Sequence, residues 1–479
     1  MMESYEVARV LFLKSLALIY CVGFLNVVNQ YLGLLGEKGL LPVGHFIQKV
    51  TWKRCPTVFW MNYSDSVLKA AGWFGFLLGV CAFFGFSERS GFLWHVLVWG
   101  GMWVLYLSFV NIGQVFYGFG WESLLLETGF VAIFFPPENV ETPVILIWIL
   151  RWLLFRLMFG AGLIKLRGDK CWWDLTCMYY YYETQPMPNP LSWYFHQLKP
   201  WMHRTSTFFT HFVELVIPWA VLFPGVIGYV GGGFSAFFML MLIVSGNLSW
   251  LNYLSLLLCF SCFDDAFWSQ FFSVGPIHTM PDHWVYLCFV YGYAAFVAYR
   301  SWEPAKNLVS RHQLMNTSYD PFHLVNSYGA FGSITRRRFE IIIEGTSGNP
   351  FDEECVWKEY EFKGKPGSVS VCPPQVAPYH MRLDWLMWFA AMGSYHHHPW
   401  TVHLVKKLLE NEKVVMNLLK YNPFADEPPE YIRAELYLYK FAPWGSKDWW
   451  VRERAGSFLP PMSLDNDQLL EYCRRYGWI

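Results

Sequence analysis

Charge is what this 479-residue chain has least of: Asp, Glu, Lys and Arg together make up 15% of it. Ordinary soluble domains carry about 25%. The 36 basic residues are balanced by 37 acidic ones, for a net charge of −1. No basic surplus remains to form a nucleic-acid footprint, so no nucleic-acid partner is expected. The sequence has no G-x-S-x-G elbow, no H-E-x-x-H pair and no Gly-rich phosphate loop. Their absence removes the signatures of α/β-hydrolases, zinc proteases and nucleotide-driven enzymes. Eleven cysteines are too scattered for a disulfide scaffold at this length. There is no internal repeat, which excludes a solenoid and gives no support to a transporter built from inverted halves.

Apolar and aromatic residues are what the chain has instead. Hydrophobic residues make up 54% and aromatics 20%, with 26 Trp, 28 Tyr and 42 Phe. A globule surrounded by water does not hide that much apolar surface. Crossing a bilayer takes about 20 mostly apolar residues. Residues 10–33, 68–86, 92–110, 144–164, 226–244 and 283–299 meet that test. Residues 208–224 also do, although His211 and Glu214 interrupt them, while 121–135 and 249–263 are short. The expectation is a helical membrane bundle over residues 1–300 with six to nine spans, its first span retained as a signal anchor. The glycines of 228–234 predict close helix packing.

After Arg300 charge, Pro and Gly become frequent. Residues 339–346, 356–367 and 431–441 alternate like strands. Residues 382–392, 401–423 and 464–478 have helical periodicity. Residues 301–479 are therefore expected to form a soluble α+β domain.

Two observations bear on orientation. Asn62-Tyr63-Ser64 and Asn316-Thr317-Ser318 are glycosylation acceptor triplets, whereas Asn247-Leu248-Ser249 sits unusably at a span edge. Cys171 and Cys177 form one pair close enough to bridge, Cys355 and Cys372 another, and disulfides persist in oxidising compartments. A nine-span chain with a cytosolic N-terminus puts loops 34–67 and 165–207 and the tail in the lumen. Its one violation of the positive-inside rule is at Lys38, Lys49, Lys53 and Arg54.

Loop 165–207 gathers Trp172, Trp173, Tyr179, Tyr180, Tyr181, Tyr182, Trp193 and Trp201 among prolines. Such rings make either a binding surface for a client protein or an interfacial belt at headgroup depth. Both readings stand. Embedded charges are a second constellation: Glu122, Glu127, Arg151, Arg156, His211 and Glu214. Groups like these pair with one another or line a wet cavity. A structural network locking helices is preferred over an intramembrane enzyme site for a lipid or peptide, because nothing nearby completes a nucleophile–base arrangement. Cys259 and Cys262 have redox spacing but an apolar setting, so they read as buried thiols. His396, His397 and His398, with His380 and His403, read as solvated or capping residues, and no metal or cofactor is expected.

Five strings carry a resemblance. They are FLKSLALIYCVGFLNVVNQYLGLLGEKGLLPV (12–43), GAGLIKLRGDKCWWDLTCMYYYYETQPMPNPLSWYFHQLKPWMHR (160–204), and YGAFGSITRRRFEIIIEGT (328–346) with WKEYEFKGKPG and PYHMRLDWLMWFAA after it. Together they closely resemble the lipase maturation factor family. The resemblance implies a multi-pass protein of the endoplasmic-reticulum membrane, N-terminus cytosolic and C-terminal domain lumenal. It implies a non-enzymatic helper whose partners are immature secreted lipases or related lumenal clients, besides membrane lipid. The basic N-terminal extension of some members is missing here.

Overall fold

The computed structural model describes residues 4–138, 140–272 and 284–478. In chain order its principal helices up to Arg300 are α1 (Glu6–Leu35), α2 (Asp65–Phe83), α3 (Phe92–Asn111), α4 (Gly120–Ile133), α5 (Val144–Arg167), α6 (Pro200–His211), α7 (Gly225–Ser245), α8 (Leu251–Cys259) and α9 (Trp284–Arg300). Five of them, α1, α2, α3, α5 and α7, are long and apolar enough to cross a membrane. The chain is a multi-pass membrane protein. Residue 283 of the last predicted span lies outside the described residues; α9 begins at the next one.

Polar contacts mark two ends of the bundle. At one end Arg9 donates to the carbonyls of Pro137 and Val140 (3.1 and 2.9 Å), and Arg151 donates to Tyr5 Oη (3.1 Å). Asp265 there accepts from the Glu6 and Val7 amides, and Tyr286 donates to the Phe134 carbonyl. At the other end Asn111 donates to the carbonyls of Pro56 and Pro321, and Trp250 donates to that of Trp121. Arg300 pairs with Asp320 at this same end, 2.7 Å away. The nine helices alternate in direction between the ends, so the two short candidates, α4 and α8, also pass between them. At 14 residues α4 is only about 21 Å long, well short of a bilayer core. Nearly all of its residues are buried, so other helices rather than lipid surround it.

The interrupted span 208–224 is helical with a defect. After α6, Phe212–Val216 form one π turn before helix Ile217–Val221. Pro218 brings no N–H to meet the Glu214 carbonyl, which favours such a bulge. The expected close packing of the glycine run is present: a Cβ on Gly231 would lie 2.8 Å from the Val221 nitrogen.

Beyond Arg300 a four-stranded antiparallel sheet forms from β1 (Arg338–Thr346), β2 (Lys358–Glu359), β3 (Tyr431–Phe441) and β4 (Trp450–Met462), in the order β2-β1-β3-β4. Its helices are α10 (Arg382–Ala391), α11 (Trp400–Leu409) and α12 (Asp467–Tyr476). Asn466 caps α12 at its start, and Gly477, at φ +74°, closes it. Two expectations are corrected. The strand at 356–367 stops at Glu359, because the Gly364 and Lys365 amides turn to the Asp384 carboxylate (2.6 and 3.0 Å). The helix at 401–423 breaks after Leu409, where Asn411 takes φ +47° and its amide donates to the Phe424 carbonyl.

The tail does not stand off from the bundle as a separate water-bathed module. Asn26 and Gln30 of α1 donate to the His380 carbonyl. Gly160 of α5 lets the Tyr328 carbonyl approach so closely that a Cβ there would sit 2.4 Å from the oxygen.

Candidate functional site

The candidate site is the end carrying Pro56 and Trp250, where loop 165–207, the tail and three helix ends meet. The loop is folded rather than free. Short helices Lys170–Trp173, Met178–Thr184 and Pro190–His196 form it, and Cys171 and Cys177 are joined by a disulfide. Asp169 accepts from the Cys171 amide and meets Arg336 at 2.7 Å. Burial pushes the Asp169 carboxyl up, but the Arg336 guanidinium and the Cys171 and Ile334 amides together outweigh it and leave the group below its usual range. Arg338 binds the carbonyls of Glu183, Gln185 and Pro186 while pairing with the buried Glu340. Trp193 Nε1 donates to the Ala442 carbonyl (2.9 Å), and Glu183 accepts from the Phe441 amide (2.7 Å). Loop and sheet thus form one frame.

This frame divides the eight predicted client-binding rings. Residues 178–184 are helical, and successive side chains turn by about 100°. Tyr181 and Tyr182 therefore face inward and are buried, while Tyr179 and Tyr180 are half-buried. Trp172 is buried with its Nε1 donating to the Phe331 carbonyl, and Trp193 is buried as well. As a binding surface those four buried rings are corrected: they are the core that fixes the loop. Trp173 and Trp201 remain open, 64% and 63% exposed, each close to the end of a bundle helix. Tyr194 (46%), another ring of the loop, and Trp444 (71%), which the sequence did not single out, face outward, packed 6.0 Å apart beside Trp193. Cys355 and Cys372 are both free, which corrects the second candidate bridge. Cys355 lies against Thr346 at the end of β1, whereas Cys372 adjoins the segment pinned to Asn247 of the bundle.

The embedded charges pair, though not only with one another. Glu127 of α4 meets Arg156 of α5, and its other oxygen accepts from Asn326 Nδ2 (2.9 Å) and Tyr328 Oη (2.7 Å) of the tail. Glu122 meets Arg382 of α10 at 2.7 Å with both side chains fully buried, and accepts from Tyr106. Arg382 also donates to Asn26 Oδ1 and the Phe116 carbonyl and lies over the Tyr117 ring. Arg151 meets no carboxylate among the described residues; the carbonyls of Ser261 and Phe223 and the Tyr5 hydroxyl take its donors. His211 bonds the Trp172 carbonyl, and Glu214 pairs with Lys165 rather than with His211. The network joins bundle to tail and loop, which no reading of the spans alone reveals. Its one legible sign was the Arg382–Asp384 pair opening an otherwise apolar run.

Among the described residues no three His, Cys, Asp or Glu side chains converge as a metal site. His380 packs edge-on to Phe119 and Trp121. His403 bonds the Leu40 carbonyl and stacks on Trp478. His396, His397 and His398 lie in the turn before Pro399. Cys259 and Cys262 are buried and unbridged. Asn62 is exposed in loop 34–67. Asn316 is exposed as a residue, but its Oδ1 accepts from the Gly329 amide, and its side chain lies against Gly120. Asn247 is buried.

Known proteins share both halves of this design. Residues 7–270 match the family described as lipase maturation factor transmembrane domain, and residues 324–460 match the lipase maturation factor C-terminal domain. Lipase maturation factor 1 of Homo sapiens is 40% identical over 99% of this chain and 91% of its own length. Lipase maturation factor 1 of Mus musculus is 40% identical over 99% and 90%. Lipase maturation factor 2 of Xenopus laevis is 31% identical over 99% and 85%. No solved structure matches. With both matched regions and near full-length identity in hand, the chain belongs to the lipase maturation factor family.

Proposed function

We propose that this protein serves in the endoplasmic-reticulum membrane as a maturation factor for secreted lipases, holding immature clients by non-covalent binding until they fold and assemble. Family membership and the names of the relatives support a role with lipases. The N-terminus is cytosolic in this reading and the tail lumenal. In its support, the Cys171–Cys177 disulfide, Asn62 and the sheet share one end of the molecule, and disulfides persist on the oxidising side.

The observation that carries client binding is the open Tyr194–Trp444 pair, backed by the fixed Trp193 and the sheet. Rigid rings give contact area at little entropic cost, and a partly folded client still exposes apolar patches. Trp173 and Trp201, set close to helix ends, are better placed for headgroup depth. No covalent step is needed: capture and release suffice.

Photo-crosslinkers at positions 194 and 444, in cells secreting a lipase, test this. Crosslinks to the immature lipase are expected from both. Tyr194→Ala with Trp444→Ala is expected to lower secreted lipase activity several-fold while the level and melting of this protein stay unchanged. Full lipase secretion by that variant, with no crosslink from either position, refutes the assignment. Glycan mapping at Asn62 tests the orientation separately: an unmodified Asn62 alongside a protease-sensitive tail on the cytosolic side would overturn it.

A further inference from the structure

A cleft of about 650 Å³ opens where the ends of α4, α5 and α8 meet the tail. Its volume falls within the roughly 300–1,000 Å³ of small-molecule sites. The floor is aromatic and deep: Trp121, Tyr181 and Trp385 line it and are buried. The rim is exposed and carries Met315, Met392, Arg311 and His312. Apolar walls of this size are costly to leave unfilled, and water finds few partners on them.

The charge is one-sided. Arg167 and Arg311 both line the cleft, and no Asp or Glu does. Arg167 donates to Gln313 Oε1 (2.6 Å) and the Leu308 carbonyl (2.7 Å), neutral acceptors that leave its charge uncompensated. Arg311 has no ion-pair partner among the described residues. An occupant that matches these walls is apolar along its length and anionic at its head. Because helix ends build the cleft, it lies near the depth at which a single-chain amphiphile places its headgroup. Lipid tails are as apolar as the cleft wall, so hydrocarbon burial alone gives no preference over the bilayer. Preference has to come from the head, through charge-assisted hydrogen bonds to guanidinium.

We infer that the cleft binds a long-chain fatty acid, its carboxylate held by Arg311 and Arg167 and its chain laid against Trp121, Trp385 and Phe389. This stands apart from client binding, which uses other residues. The carboxylate contact is expected to give roughly tenfold or more selectivity over an uncharged ester of the same chain.

The experiment uses the full chain in phosphatidylcholine nanodiscs and a diazirine-bearing palmitate, with labelled peptides identified by mass spectrometry. Saturable labelling is expected in the peptides containing Gly118–Trp121 and Trp385–Met392. Palmitate should compete roughly tenfold better than methyl palmitate. Arg311→Gln, at an exposed and unpaired position, should weaken labelling by a similar factor with melting unchanged, and Met392→Trp should occlude the rim. Labelling that palmitate does not compete, or that falls only on the lipid-facing surface of α7, overturns the inference. So does methyl palmitate competing as well as the acid, or Arg311→Gln labelling like the parent. Displacement by lysophosphatidylcholine at palmitate's concentration also overturns it, because a zwitterionic head would then suffice.

Discussion

Arg382→Met removes one partner of a fully buried ion pair and leaves Glu122 charged inside the protein. The Arg382–Glu122 contact is 2.7 Å, and neither side chain reaches solvent. Breaking such a pair from one side costs about 3–5 kcal/mol. Arg382 also supplies donors to Asn26 and the Phe116 carbonyl, so the upper part of that range applies. For a chain of this size the cost corresponds to a fall in melting temperature of roughly 4–5 °C. Size-exclusion detection of the detergent-solubilised protein after heating measures it, and limited proteolysis of the tail reports undocking. Adding Glu122→Gln to Arg382→Met removes the stranded charge, so the double variant is expected to melt above the single one. Arg89→Met is the control: the Arg89–Glu138 pair is 65% and 53% exposed at 3.3 Å, and such pairs contribute about 0–1 kcal/mol. If Arg382→Met melts no lower than Arg89→Met, the tail is not docked through this pair and the fixed frame described above fails.

Other expectations follow from the same contacts. Glu127→Gln should reduce the folded yield rather than leave a folded, inactive protein, because Arg156, Asn326 and Tyr328 all depend on that carboxylate; an intact, stable and functionally dead variant would argue for chemistry at Glu127. Gly160→Val should cost about 1–3 kcal/mol, because the clash is with the Tyr328 backbone oxygen rather than a movable side chain; unchanged melting would mean the two segments do not touch. Burial lowers His403 to about 4, so the native protein holds it neutral while the unfolded chain protonates it below its ordinary value near 6.5. Its contribution is intact above about pH 6.5 and is lost as pH falls toward 4, with about 2 kcal/mol gone near pH 5. His323, also lowered by burial to about 4, adds in the same direction. Melting should fall on acidification, and less steeply in His403→Phe; an identical slope in that variant would contradict the assignment.

The strongly periodic and apolar stretches were readable from sequence because a bilayer or a sheet face imposes its period directly. That covers α1, α3, α5 and α7 and the strands β1 and β3. β4 was not readable: Trp450–Met462 carries two arginines, a glutamate, a glycine and consecutive prolines. It lies at the edge of the sheet, where only one side is hydrogen-bonded, so Pro460 and Pro461 are tolerated and charged side chains face water. At the candidate site, the composition of loop 165–207 drew attention to that segment. It did not say which rings are spent on packing, because that depends on residues 331–342 and 439–450, far along the chain. Glu122 and Glu127 are paired, yet their partners Arg382, Asn326 and Tyr328 come from the tail. A hydropathy scan gives no view of such pairings.

Those pairings impose an order on biogenesis. The ribosome delivers Glu122 and Glu127 to the membrane some 200 to 260 residues before the tail groups that complete their bonding, although Arg156 follows Glu127 closely. Throughout that interval Glu122 lacks Arg382 and Glu127 has Arg156 without Asn326 and Tyr328, so the early helices await the tail before the bundle can close. A nascent chain interrupted ahead of Asn326 would therefore forfeit the integrity of the membrane portion along with the tail, and quality-control machinery would meet the defect inside the bilayer.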